Sequence, residues 1–165
     1  VAPDDGATDP SGRRDRRTAW ALVAAQFALL AAVLVLPAGH LWRLPAALTV
    51  LCAALGVVGV VVMVAGGTAL GRGLTAAPLP NGHAQLRTTG LYRYVRHPIY
   101  SGLLLLAVAR TATSGSAWVV AACVALIALL RAKARWEERH LRHRFPGYAE
   151  YADRTPRFVP RVGRQ

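Results

Sequence analysis

Two polar clusters in an otherwise apolar chain contain the residue types that could do chemistry. The first is Tyr92-Arg93-Tyr94-Val95-Arg96-His97-Pro98-Ile99-Tyr100-Ser101-Gly102. Pro98 disfavours helical backbone at His97, and proline itself suits the first position of a helix, where its missing N–H costs nothing. Arg96 and His97 therefore stand beside the free amides of a helix start. Two readings stay open for them: a receptor for a carboxylate or phosphate, or interface anchors that touch lipid phosphate.

The second cluster is Arg131-Ala132-Lys133-Ala134-Arg135-Trp136-Glu137-Glu138-Arg139-His140-Leu141. No acidic residue lies between Asp15 and Glu137, so the adjacent carboxylates stand out. Helical spacing puts Glu137 on the side of Lys133 and Leu141, and brings Glu138 within reach of Arg135 and Arg142. One reading is a pair of ion pairs on a solvated helix face. The other is that a glutamate turns toward the loop and receives the hydroxyls, ammonium or sulfonium of a ligand.

Other patterns point away from common sites. His140 and His143 are three apart, but no third ligand accompanies them, so no metal centre is expected. Cys52 and Cys123 lie in apolar runs without a CxxC partner and read as small apolar residues. No GxSxG, P-loop or GxGxxG is present.

The elements that must position these clusters follow from composition. The 165 residues are 54% hydrophobic, yet 20 Lys+Arg stand against 8 Asp+Glu, a net charge of +12. Uncharged runs cover residues 18–42, 44–71 and 111–130, with a shorter one at 97–109. At about 1.5 Å per residue, runs of 18 or more can cross about 30 Å of hydrocarbon. The basic surplus then flanks membrane spans and meets lipid headgroups, which removes the case for nucleic acid.

We expect an all-α, polytopic membrane protein with about four transmembrane helices. Residues 1–18 read as a disordered cytoplasmic tail. Residues 19–71 form two transmembrane helices, the first a span rather than a cleaved leader, with Trp20 and Trp42 near its interfaces and Gly56, Gly59, Gly66 and Gly67 permitting close approach in the second. The turn-rich segment from Arg72 to Pro98 is a long, functional loop. Ile99 to Thr111 and Ala117 to Leu130 form a helical hairpin, with Thr113-Ser114-Gly115-Ser116 at its outer turn, Arg110 snorkelling toward headgroups, and the second arm continuing to about Arg144. With the N-terminus inside, only Arg43 and Arg110 remain outside, so the positive-inside rule places both termini and the long loop in the cytoplasm.

Arg96-His97-Pro98-Ile99-Tyr100-Ser101-Gly102, followed by Glu137-Glu138, Leu141, Phe145, Gly147-Tyr148, Tyr151 and Arg157-Phe158-Val159-Pro160, resembles the isoprenylcysteine carboxyl methyltransferase and phospholipid methyltransferase superfamily. The resemblance covers about Leu86 to Pro160. It implies that residues 72–160 build a cytoplasmic S-adenosylmethionine pocket and that a lipophilic or prenylated substrate arrives from the bilayer. Carried over, Tyr92, Arg96, His97, Pro98, Ile99 and Tyr100 would line the cofactor pocket. Glu137 would hold a polar part of the cofactor and Glu138 would support it, while Lys133 would meet an anionic substrate group. Leu86 and Arg87 match only loosely. Phe145-Pro146-Gly147-Tyr148 departs from the commoner spacing, so no contact is assigned to Tyr148 or Tyr151.

A carboxylate acceptor needs no general base, whereas an amine must lose a proton before attack. With no dedicated base in view, O-methylation of a lipophilic carboxylate, or S-methylation of a thiol, is favoured over N-methylation of a phospholipid headgroup. Two further classes compete. A nicotinamide-dependent membrane reductase shares the HPxYxG look, and a non-enzymatic helical subunit would use the basic ends to bind lipid or a partner.

Overall fold

A computed structural model describes residues 10–71 and 86–161. Among these, α1 (Pro10–Val35), α2 (Ala46–Leu70), α3 (Pro98–Ala112), α4 (Ala117–Arg144) and α5 (Tyr148–Arg154) are joined by loops and one 3-10 turn, Gly90–Arg93. No strand occurs among the described residues. Three helices, α1, α2 and α4, are long and apolar enough to cross a membrane, and α3 is a shorter apolar helix. The all-helical, multi-span architecture is therefore the one expected.

Helix α1 starts at Pro10, well before Ala19, so residues 10–18 are helical rather than part of a disordered tail; residues 1–9 lie outside the described residues. One polar contact ties this extension to α4. Asp15 Oδ2 lies 3.4 Å from His140 Nε2 on α4, and α4 itself runs on to Arg144, so the two helices meet beyond their apolar parts. Residues 72–85, the first part of the long loop, also lie outside the described residues.

The core is a helical stripe. Val119, Cys123, Leu126, Leu130 and Ala134 recur at three- and four-residue spacing along α4, and they pack with Val33 of α1 and Tyr100, Leu103 and Ala107 of α3. Helices α2 and α3 approach through glycine: a Cβ at Gly59 would lie 2.6 Å from the Gly102 carbonyl oxygen. Backbone meets backbone there, which only glycine permits. The other side of α2 exposes Val50, Leu51, Val57, Val58, Val61 and Val64, a surface suited to hydrocarbon.

The α3–α4 turn packs against the α1–α2 connection. Gly115 turns the chain at φ 59°, Gly39 N–H donates to Ser114 O at 2.8 Å, and Leu41 N–H donates to Gly115 O at 3.0 Å. Trp42 Nε1 donates to Ala112 O at 2.8 Å. Arg110 does not reach toward headgroups as expected; its guanidinium donates to Leu36 O at 3.0 Å. A carbonyl left over at the end of α1 offers a fixed partner that lipid does not.

Candidate active site

The site begins with a backbone arrangement. His97 is the N-cap of α3, outside helical geometry at φ −127° and ψ 66°, and Pro98 opens the helix as its spacing indicates. The extended residues before α3 are stitched to the segment after α5: Arg96 N–H donates to Pro156 O at 2.9 Å and His97 N–H to Arg157 O at 3.1 Å. Ser101 Oγ donates to Phe158 O at 2.7 Å, one turn into α3. These bonds bring Arg157 and Phe158 over the start of α3 and against the end of α4.

Glu138 is the centre of a buried ion cluster. Arg157 grips it with two bonds, Nε to Oε1 at 2.8 Å and a terminal nitrogen to Oε2 at 2.7 Å. His97 Nε2 shares a hydrogen bond with Oε1 at 3.0 Å, and an Arg96 terminal nitrogen lies 3.4 Å from the same oxygen. A two-bond guanidinium–carboxylate pair is the strongest such geometry, and it holds both groups charged. The hydrogen bond to Glu138 pushes the Arg157 guanidinium above its ordinary range.

Glu137 is used differently. Tyr100 O–H donates to its Oε2 at 3.1 Å, and His97 Nδ1 lies 3.7 Å from that oxygen, too far for a hydrogen bond. Its side chain keeps 26% of its exposure, against 6% for Glu138. Oε1 of Glu137 has no hydrogen-bond partner among the described residues. Neither glutamate forms the ion pairs with Lys133, Arg135 or Arg142 that helical spacing offers among the described residues. Both are drawn instead across to α3 and the segment after α5.

The aromatic wall follows the same spacing. His97 and Tyr100, three apart, stack with ring centroids 5.2 Å apart and planes 4° from parallel, and Phe158 tilts against both. Lys133 is buried, places Nζ 5.3 Å from the centre of the Tyr100 ring, and donates to Gln26 Oε1 at 2.6 Å.

Tyr92 stands at the edge of this group. Its O–H donates to Gly66 O at 3.2 Å, and its carbonyl accepts from Tyr151 O–H at 2.6 Å. Burial, then the charge of Glu137, pushes the Tyr92 phenol well above its ordinary range. Tyr151 is pushed up to about 12 by burial, against the opposing pull of Arg96. Both phenols therefore stay protonated and act as donors.

Arg96, His97, Tyr100, Lys133, Glu137 and Glu138 thus form one constellation. Pro98 and Ile99 instead face α2, where a Cβ at Gly66 would meet Pro98 at 3.1 Å and Ile99 at 3.2 Å. Arg157, Phe158 and Gln26 are the residues whose part was not foreseen. Gln26 carried a signal, since it is a lone amide deep in an apolar run and needs a buried partner. Arg157 and Phe158 stand among the residues that carry the family resemblance, but nothing in the sequence ties Arg157 to Glu138. Two polar atoms, Arg96 Nε and Tyr148 Oη, are buried without a hydrogen bond among the described residues.

Comparison with known proteins adds two findings. Residues 47–147 match the family model described as phospholipid methyltransferase. A stretch of 78 residues is 42% identical to the cobalt-zinc-cadmium resistance protein CzcN of Cupriavidus metallidurans, covering 47% of this chain and 36% of that protein. The chain thus spans about a third of the length of that curated relative. No solved structure matches.

Proposed function

Because the chain belongs to the phospholipid methyltransferase family, an integral membrane group, we propose that it takes S-adenosylmethionine as methyl donor and methylates a lipophilic acceptor, with O-methylation of a carboxylate favoured. The observation that carries this reading is the division of labour between the two glutamates. Glu138 is consumed by Arg157, His97 and Arg96, whereas Glu137 keeps one oxygen without a hydrogen-bond partner among the described residues, in a partly exposed position beside an aromatic wall. That combination suits a cationic donor bearing hydroxyls and an ammonium, so the residues present fit the group.

When bound, the donor supplies a methyl carbon whose bond to sulfur breaks toward sulfur as the acceptor oxygen attacks in line, a step that needs alignment and exclusion of water. Glu137 accepts hydrogen bonds from the donor's polar groups, oriented by the Tyr100 hydroxyl. The His97 and Tyr100 rings, with Tyr92 at the edge, wall the pocket, and Pro98 and Ile99 set the start of α3 against α2. Glu138 supports this arrangement by fixing His97, Arg96 and Arg157. Lys133 is the cation available to an acidic acceptor. The excess of Lys and Arg in the loops supports a cytoplasmic position for this site and the termini, with the acceptor entering from the bilayer.

A carboxylate acceptor moves no proton, which agrees with a histidine already bonded to Glu138. The second reading is N-methylation of a phospholipid headgroup amine, favoured by the description of the matched family. It asks Glu137 to take a proton. Radiolabelled S-adenosylmethionine incubated with the purified chain and a total lipid extract tests both. Alkali-labile label identifies an ester, alkali-stable label in a headgroup identifies an amine product, and no S-adenosylhomocysteine binding by calorimetry would overturn the donor assignment.

A further inference from the structure

Lys133 is 3% exposed, yet no carboxylate lies within ion-pair distance of it among the described residues. Its neighbours are neutral: the Gln26 amide oxygen at 2.6 Å and the face of Tyr100 at 5.3 Å. An ammonium carries three donors, and a buried cation is retained at a large desolvation cost unless something of opposite charge meets it. Glu137 acts on it only from a distance.

The depth of this pair says which partner it awaits. Lys133 precedes Glu137 by one helical turn on α4, about 6 Å closer to the apolar middle of the bundle. Gln26 lies eight residues inside the apolar run of α1 that starts at Thr18. The pair therefore sits on the hydrocarbon side of the glutamates, where the head of a lipophilic molecule arrives before it meets a polar donor.

We propose that Lys133, held in place by Gln26, is the receptor for an oxyanion on the lipophilic acceptor, and that Gln26 is the positioning residue that makes the protein prefer acidic acceptors. This rests on the reading of the chain as a methyltransferase of lipophilic molecules. Gln26 can do this because its neutral oxygen orients the ammonium without neutralising it. A glutamate there would form a closed ion pair and leave no charge for a ligand.

The test uses the full chain in a non-ionic detergent, with oleate, oleyl phosphate and oleamide as probes and thermal unfolding as readout. The wild type is expected to be stabilised by the two anions and not by the amide; a larger shift with oleate identifies a carboxylate, and one with oleyl phosphate a phosphate. Gln26→Glu is expected to keep the fold and lose the anion shift, with affinity down about tenfold or more. Lys133→Met is expected to lose it too, and Lys133→Arg to restore part. In all of them the stabilisation by S-adenosylhomocysteine is expected to persist. Equal shifts from amide and anion would overturn the proposal, as would anion binding undiminished in Gln26→Glu. Loss of the S-adenosylhomocysteine shift in Gln26→Glu would overturn it as well, by assigning Lys133 to the donor's own carboxylate. Absence of that shift in the wild type counts against the methyltransferase reading, and the anion-against-amide comparison still decides the role of Lys133.

Discussion

The two ends of the α3–α4 hairpin solve the same problem with opposite chemistry. At the turn, polar groups are spent on backbone: Gly39, Leu41, Trp42 and Arg110 each close on a carbonyl. At the other end, side chains meet side chains, and the cluster of Arg96, His97, Glu138 and Arg157 supports a carboxylate and an ammonium that are not matched to each other. Charge kept in surplus is what a ligand can use. The difference teaches that basic or aromatic content near a helix end does not identify a site; what distinguishes one is polar capacity left over after the fold has been served.

The largest effect should come from breaking the support under that surplus. Glu138→Ala leaves Arg157 and Arg96 without their buried counter-charge, and the cost expected is about 3–5 kcal/mol, with methyl transfer lost alongside. Denaturation in detergent micelles measures it. Replacing both partners, Glu138→Ala with Arg157→Met, should recover part of that stability, because no guanidinium from the segment after α5 is then left unpaired at the carboxylate.

A smaller loss, about 1–3 kcal/mol, is expected for Gly102→Ala, at the α2–α3 crossing one turn into α3. A Cβ at Gly102 would lie 2.8 Å from the Met63 nitrogen and closer still to the Gly59 carbonyl oxygen, and neither can yield without parting α2 from α3. The melting temperature should fall, with both ends affected together. Such a result would weaken the comparison by showing that the ends are coupled through the helix crossing.

How far these features could be foreseen differs by interaction range. The spans, the hairpin, Pro98 at the head of α3 and the reach of α4 to Arg144 follow from hydropathy and local backbone rules, which act within a few residues. The paired glutamates stand out because acids are scarce. Their partners do not, since Arg157 meets Glu138 from a separate segment and Gln26 meets Lys133 from another helix, and no periodicity encodes such meetings. The same limit explains Arg110, whose partner is the Leu36 carbonyl just past the end of α1.

Glu137→Gln should sharpen the contrast within the charged end. The amide keeps the shape and can still accept from Tyr100, so stability is expected to move by less than about 1 kcal/mol. Affinity for S-adenosylhomocysteine should nevertheless fall about tenfold, the size of one charge-assisted hydrogen bond. Calorimetry on the intact protein measures it, and a variant that binds as tightly as the wild type would remove Glu137 from the site.

The smallest effect is expected at the turn. Arg110→Met removes one hydrogen bond to Leu36 O while keeping an unbranched chain of similar reach, so the loss should be about 1 kcal/mol, seen as a modest drop in melting temperature. Binding of S-adenosylhomocysteine and the anion preference at Lys133 should not change, because the guanidinium is committed to a backbone carbonyl at the far end of α3. That insensitivity is the sharper half of the prediction. If Arg110→Met altered ligand binding as strongly as Glu137→Gln, the turn would be part of the site, and leftover polar capacity would no longer separate the two ends.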